Sequence, residues 1–129
     1  MTTSQTNPLG PGYEGVAGSE MRFRDIFRDT LRAEMNRDDD VFLMGEDISG
    51  GFDKDTKEPL DAWGGPFAAT KGLVQEFGVE RIRDAPISEA GFVGAAVGSA
   101  LTGMRPVVDL MYFDFVTVAF DQLLSNAAK

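Results

Sequence analysis

The chain has 129 residues, about one domain's worth, with 43% hydrophobic and 26% charged residues. Twelve Lys and Arg against twenty-one Asp and Glu leave a net charge of −9, which sets the surface against phosphate backbones and anionic lipid, so neither nucleic acid nor a membrane is expected as a partner. Cysteine and histidine are both absent, which excludes disulfides, thiolate chemistry and imidazole bases and leaves acid–base work to carboxylates, Lys, Tyr, a cofactor or a partner chain.

Residues 1–20, MTTSQTNPLGPGYEGVAGSE, are polar and rich in Gly and Pro, and they lack both the apolar core of a secretory signal and the arginines of a mitochondrial presequence. They read as a flexible tail on a cytoplasmic protein. No apolar run approaches the length of a membrane span. Phe23, Ile26, Phe27, Thr30, Leu31 and Met35 then recur at helical spacing and predict an amphipathic helix ending near Asn36. VFLMG, residues 41–45, is a continuous apolar run of the kind found in buried parallel strands. Residues 47–65 are charged and aperiodic and read as a long loop. A second helix is expected over 66–77, with Pro66 in its first turn and Gly78 at its stop, followed by a short strand at 80–84. Ser88 is placed to cap a helix running to about Gly103, VVDLM forms another buried strand, and Phe115 to Lys129 show helical spacing again.

Alternation of helix and strand implies an α/β fold, a parallel sheet with helices on both faces. Only three strands are visible, so the sheet reads as the front part of a larger domain.

The run PISEAGFVGAAVGSA, residues 86–100, carries one charge, Glu89. An acid in a first helical turn is stabilised by the macrodipole, by roughly 0.3–1 kcal/mol, and needs no other reason to be there. Gly91, Gly94 and Gly98 do need one, because each weakens the helix by ~1 kcal/mol relative to Ala. A face so bare predicts close approach of another helix, chain or ligand.

The stretch PISEAGFVGAAVGSALTGMRPVVDLMYFDF followed by FDQLLSNAAK resembles the amino-terminal part of the beta subunit of thiamine-diphosphate-dependent 2-oxo acid dehydrogenases. That subunit belongs to the first (E1) component of the pyruvate, branched-chain and acetoin complexes. FRDIFRDTLRAEMNRDDDVFLMGEDI and GGPFAATKGLVQEFGVERIRDAPISEAGF extend the resemblance over residues 21–129. It implies a truncated, transketolase-like pyrimidine-binding domain, inactive as it stands. It further implies that Glu89 hydrogen-bonds ring nitrogen N1′ of the aminopyrimidine, so that the cofactor's own amino group serves as the base. Ile87 and Ser88 would lie beside the pyrimidine, Met111 and Phe115 would form its apolar seat, and Glu46 of the GE motif would stand near the cofactor. The plain alternatives are core packing for Met111 and Phe115 and a solvated loop acid for Glu46.

No G-D-G motif with a downstream Asn is present and no metal ligands are expected here, so by the same resemblance an alpha subunit would hold the diphosphate and its Mg²⁺. The implied partners are that alpha subunit, a second beta subunit and the lipoyl-bearing E2 acyltransferase. The implied reaction is oxidative decarboxylation of a 2-oxo acid with acyl transfer to lipoyl groups. An acetoin dehydrogenase beta subunit, a transketolase-type enzyme and a non-catalytic assembly module stand as alternatives. Residues 49–65, containing the lone Trp63, are longer than the family pattern.

Overall fold

The computed structural model describes residues 22–50 and 63–129. Helix α1, Phe23–Arg37, has Asp25 in its first turn and Arg37 in its last, so both ends complement the macrodipole. Leu31 and Met35, one turn apart, are buried against the sheet, while Phe23, Ile26 and Phe27 remain exposed, so the apolar stripe is buried only in its second half. Strand β1, Val41–Gly45, matches the expected run residue for residue. Helix α2 is Leu73–Phe77, strand β2 is Ile82–Asp84, helix α3 is Glu89–Leu101 and strand β3 is Arg105–Asp109.

The three strands form one parallel sheet in the order β2-β1-β3. Alternation along the strands separates two cores. Val41, Leu43, Ile82 and Val107 face α1 and α2, meeting Leu31, Met35, Ile48, Leu73 and Val74. Met44 and Val108 face α3, meeting Phe92, Val93, Ala119 and Leu123. Helices therefore cover both faces, as the alternating pattern requires. β1 is central in the sheet and covered on both faces by those helices, and its unbroken apolar run is the sequence image of that position.

Four expected elements differ. The buried strand expected at VVDLM, 107–111, is Arg105–Asp109, half-buried at the edge of the sheet. The helix over 66–77 is reduced to its last five residues, Leu73–Phe77. Ala68 and Gly72 adopt positive φ, which an α-helix cannot propagate through, and residues 65–72 form successive turns instead. Tertiary contacts hold those turns: the Thr70 hydroxyl donates to the Ile48 carbonyl at 2.8 Å and Phe67 stacks edge-on against Tyr112. The last segment is a 3₁₀ helix, Phe113–Thr117, and a π-helix, Gln122–Ala127, in place of one continuous α-helix. Finally, Ser88 occupies the cap position of α3, but its hydroxyl donates to the Pro86 carbonyl at 3.2 Å and caps nothing.

The glycine face of α3 is explained only in part. A Cβ on Gly94 would lie 3.0 Å from Gln122 Oε1, so the π-helix packs where a side chain would stand. A Cβ on Gly98 would meet nothing within 4 Å, and one on Gly91 would meet only its own turn's Ser88. Among the described residues no helix is long and apolar enough to cross a membrane. Trp63 is half-exposed, and the remainder of the long loop, 51–62, lies outside the described residues, as does the tail.

Candidate functional site

Each strand of a parallel βα sheet delivers the residue after its carboxyl end to the same rim. Here those residues are Glu46 after β1, Ala85 after β2 and Leu110 after β3. The chain leaves β1 toward the α1–α2 face, where Ile48 is buried, and after β3 it reaches the α3 face, where Ala119 and Leu123 pack. The connections diverge between β1 and β3, and such a switch point is where open α/β sheets bind ligands.

Glu89 enters this rim from the α3 face. Helix α3 returns antiparallel to the strands, so its amino end, and Glu89 with it, stands at their carboxyl ends. The residue is only 9% exposed, yet its carboxylate meets no hydrogen-bond or ion-pair partner among the described residues. Among the described residues no side-chain oxygen is both fully buried and unpartnered, so the Glu89 carboxylate oxygens keep some exposure. An acid largely buried at the rim, with its oxygens still reachable, is a polar group left for a ligand to partner. Ser88 is half-buried, and Ile87 projects into the open at 77% exposure, an apolar side chain on the rim with nothing over it.

On the opposite face the rim borders a cavity of about 940 Å³ between α1, the turns at 66–70 and the end of β3. Leu43, Val107 and Leu110 form much of its apolar wall, and Met111 lines its mouth. Met111 has φ of 60°, unusual for a residue with a side chain, and the Asp109 carboxylate stabilises the turn by accepting the Met111 N–H at 2.8 Å. Phe115 is linked to this mouth through Tyr112, whose ring it meets edge-on at 5.9 Å. Met111 lines the cavity and Phe115 adjoins it only through Tyr112, whereas Phe115, Glu89 and Glu46 do not line it. Among the described residues no three acidic side chains converge as a metal site would require.

Glu46 follows Gly45, where a Cβ would lie 2.9 Å from the Asp109 carbonyl and 3.1 Å from Ile48 Cγ2. Only a glycine lets β1 and β3 end this closely. Beyond Glu46 the backbone is tied down by residues that periodicity does not single out. Ser49 donates its N–H to Asp84 Oδ1 at 2.8 Å and its hydroxyl to Asp84 Oδ2. The available signal for Asp84 was its place as the last residue of a strand in a parallel sheet, where polar side chains face the rim.

Comparisons with known proteins agree with this arrangement. The family described as the transketolase pyrimidine binding domain matches residues 19–129. The chain is 47% identical, over 81% of its length, to the acetoin:2,6-dichlorophenolindophenol oxidoreductase subunit beta of Bacillus subtilis, covering 31% of that protein. It is 48% identical to the subunit of the same name from Cupriavidus necator, over 78% of this chain and 29% of that one. It is also 41% identical to the pyruvate dehydrogenase E1 component subunit beta of Rhizobium meliloti, over 89% of this chain and 22% of that one. The chain thus spans less than a third of the length of these curated relatives. A parallel sheet with a switch point, a buried carboxylate at its rim and a family match running through both place this chain in the transketolase pyrimidine-binding domain family.

Proposed function

We propose that this chain supplies the aminopyrimidine side of a thiamine diphosphate site in the E1 beta subunit of a pyruvate-type 2-oxo acid dehydrogenase complex. The observation that carries the reading is Glu89, largely buried and without a partner among the described residues, at the amino end of α3 on the rim of the sheet. An orphaned carboxylate beside an apolar rim suits a flat heterocycle that presents one ring nitrogen and otherwise hydrophobic edges. The residues present therefore fit the group.

In this proposal Glu89 shares a proton with ring nitrogen N1′. Ile87 covers one edge of the ring with apolar surface, and Ser88 stands beside it. Met111 and Phe115 exclude water from the other side, aligned by Tyr112 between them. Glu46, on the neighbouring strand end, stands near the cofactor. When bound, thiamine diphosphate supplies the nucleophilic carbon and the electron sink for decarboxylation. An alpha subunit would hold the diphosphate and Mg²⁺, a second beta subunit would complete the assembly, and a lipoyl-bearing E2 would accept the acyl group in the cytoplasm.

A second reading shares this site and differs in substrate: acetoin, favoured by 47–48% identity to the acetoin subunits against 41% to the pyruvate subunit from Rhizobium meliloti. Turnover of pyruvate, branched-chain oxo acids and acetoin by the assembled enzyme separates the two.

The test of the site is Glu89→Gln, in a polypeptide of the relatives' full length co-expressed with an alpha partner. The amide preserves shape and removes the shared proton. Turnover is expected to fall by roughly 10²–10⁴ with assembly intact, the range for loss of a positioned proton-transfer group. Unchanged turnover would refute the assignment.

A further inference from the structure

We propose that Asp84 is a positioning residue that acts through Ser49 to aim Glu46 at the cofactor rim. The inference rests on the function proposed above. Asp84 ends β2 in register with Gly45 at the end of β1, and the Ala85 N–H donates to the Gly45 carbonyl at 2.8 Å. The ladder closes there, and the chain leaving β1 has no further strand bonds to hold it. Asp84 replaces them. Its two carboxylate oxygens receive the Ser49 N–H and hydroxyl, a two-point grip between residues 35 positions apart.

The need for the grip lies on the Ser49 side. Ser49 is 3% exposed, so both its donors would be stranded without an acceptor. A second tie meets the first, since the Ile48 carbonyl accepts the buried Thr70 hydroxyl at 2.8 Å. Asp47, between these anchors and the strand, is held at φ of 54°, a left-handed conformation that costs a non-glycine residue free energy and persists only when its surroundings impose it. The segment 46–49 is therefore pinned at its strand end by Gly45 and at its far end by Ile48 and Ser49. Glu46 sits inside that clamp and has no hydrogen-bond or ion-pair partner of its own among the described residues. The backbone path of 46–49 therefore sets where its side chain departs from the main chain. A main chain fixed in this way is organised before any ligand arrives, which is the condition under which a small displacement costs a large factor in rate.

Asp84→Ala removes both acceptors, Ser49→Ala removes one of the two contacts, and Asp84→Asn keeps the arrangement, with Oδ1 accepting the Ser49 N–H and Nδ2 donating to its hydroxyl. These variants are compared in the full-length assembled enzyme, each with and without Glu46→Gln. Amide hydrogen exchange over 46–50 is expected to accelerate about tenfold or more in Asp84→Ala, less in Ser49→Ala, and hardly at all in Asp84→Asn. Asp84→Ala is expected to lower kcat by roughly ten- to a hundredfold when Glu46 is present and by less than about twofold when it is Gln. A purely structural role would give losses that multiply regardless of residue 46, and that result, or exchange unaffected by Asp84→Ala, would overturn the proposal. Glu89→Gln is measured alongside. Losses that multiply while Glu89→Gln abolishes turnover would remove only the positioning role, whereas turnover surviving Glu89→Gln would remove the reading of the site on which the role rests.

Discussion

Arg81 offers the sharpest test of how the sheet is assembled. Its guanidinium lies under the turn between α1 and β1, where Nη2 donates to the carbonyls of Met35, Asp38 and Val41 at 2.9, 2.8 and 2.7 Å and Nε donates to Val41 at 3.0 Å. Two of those carbonyls belong to the end of α1, where intrahelical donors run out and a cation is favoured. Arg81→Ala leaves the Met35 and Val41 carbonyls to find water from a site where the side chain was only 20% exposed, while the Asp38 carbonyl keeps the Val41 N–H at 3.3 Å. At about 1–1.5 kcal/mol each, the loss is roughly 2–3 kcal/mol. The cation over the Phe77 ring, at 5.2 Å, adds a smaller amount, and the Asp39 carboxylate, fully in solvent, adds little. With a urea slope of about 1.5 kcal/mol/M, the unfolding midpoint should fall by about 1.3–2 M, read by circular dichroism. Arg81→Lys should recover only a minor part, because a single ammonium cannot span three acceptors. A midpoint shift in Arg81→Ala below about 0.5 M would mean that the carbonyls are satisfied without it, and the reasoning would fail.

Gly98→Ala should raise the thermal midpoint by the equivalent of about 0.5–1 kcal/mol, since the new methyl meets open space in a helix interior. Gly94→Ala should gain less or lose, because Gln122 Oε1, which already accepts from Asn126, would stand 3.0 Å from the added carbon; equal gains would show that the π-helix does not enforce that glycine. Thr70→Val keeps the shape, strands the buried Ile48 carbonyl and should destabilise by about 1–3 kcal/mol in urea titration, with a neutral result implying that water reaches the site.

The elements most legible in the sequence were those decided by burial. VFLMG could be read as a strand to the residue because β1 is covered on both faces and no polar residue interrupts it. The start of α3 and the placing of Glu89 in its first turn followed from the single charge ahead of an apolar, glycine-rich run. The elements misread were those decided by contacts far away in sequence. Pro66 and the apolar spacing after it favoured a helix over 66–77, but the Thr70 tie to Ile48 and the Phe67 stack on Tyr112 draw residues 65–72 into turns. Ser88 carries the chemistry of a cap, and a carbonyl two residues earlier takes its hydroxyl instead. The clamp on Ser49 could not be read at all, since a serine in a loop and an aspartate 35 residues later have no local pattern to join them.

The sheet's two sides are unequally furnished. Eight buried side chains bind α1, α2 and their strands on one side, while on the other Phe92, Val93 and Ala119 are the buried members of the cluster under α3. Glu89 rides on the half with the smaller buried cluster. A heterocycle lodged there would therefore do more than react: by adding apolar contact beside that cluster, it would tighten the half of the molecule that receives it.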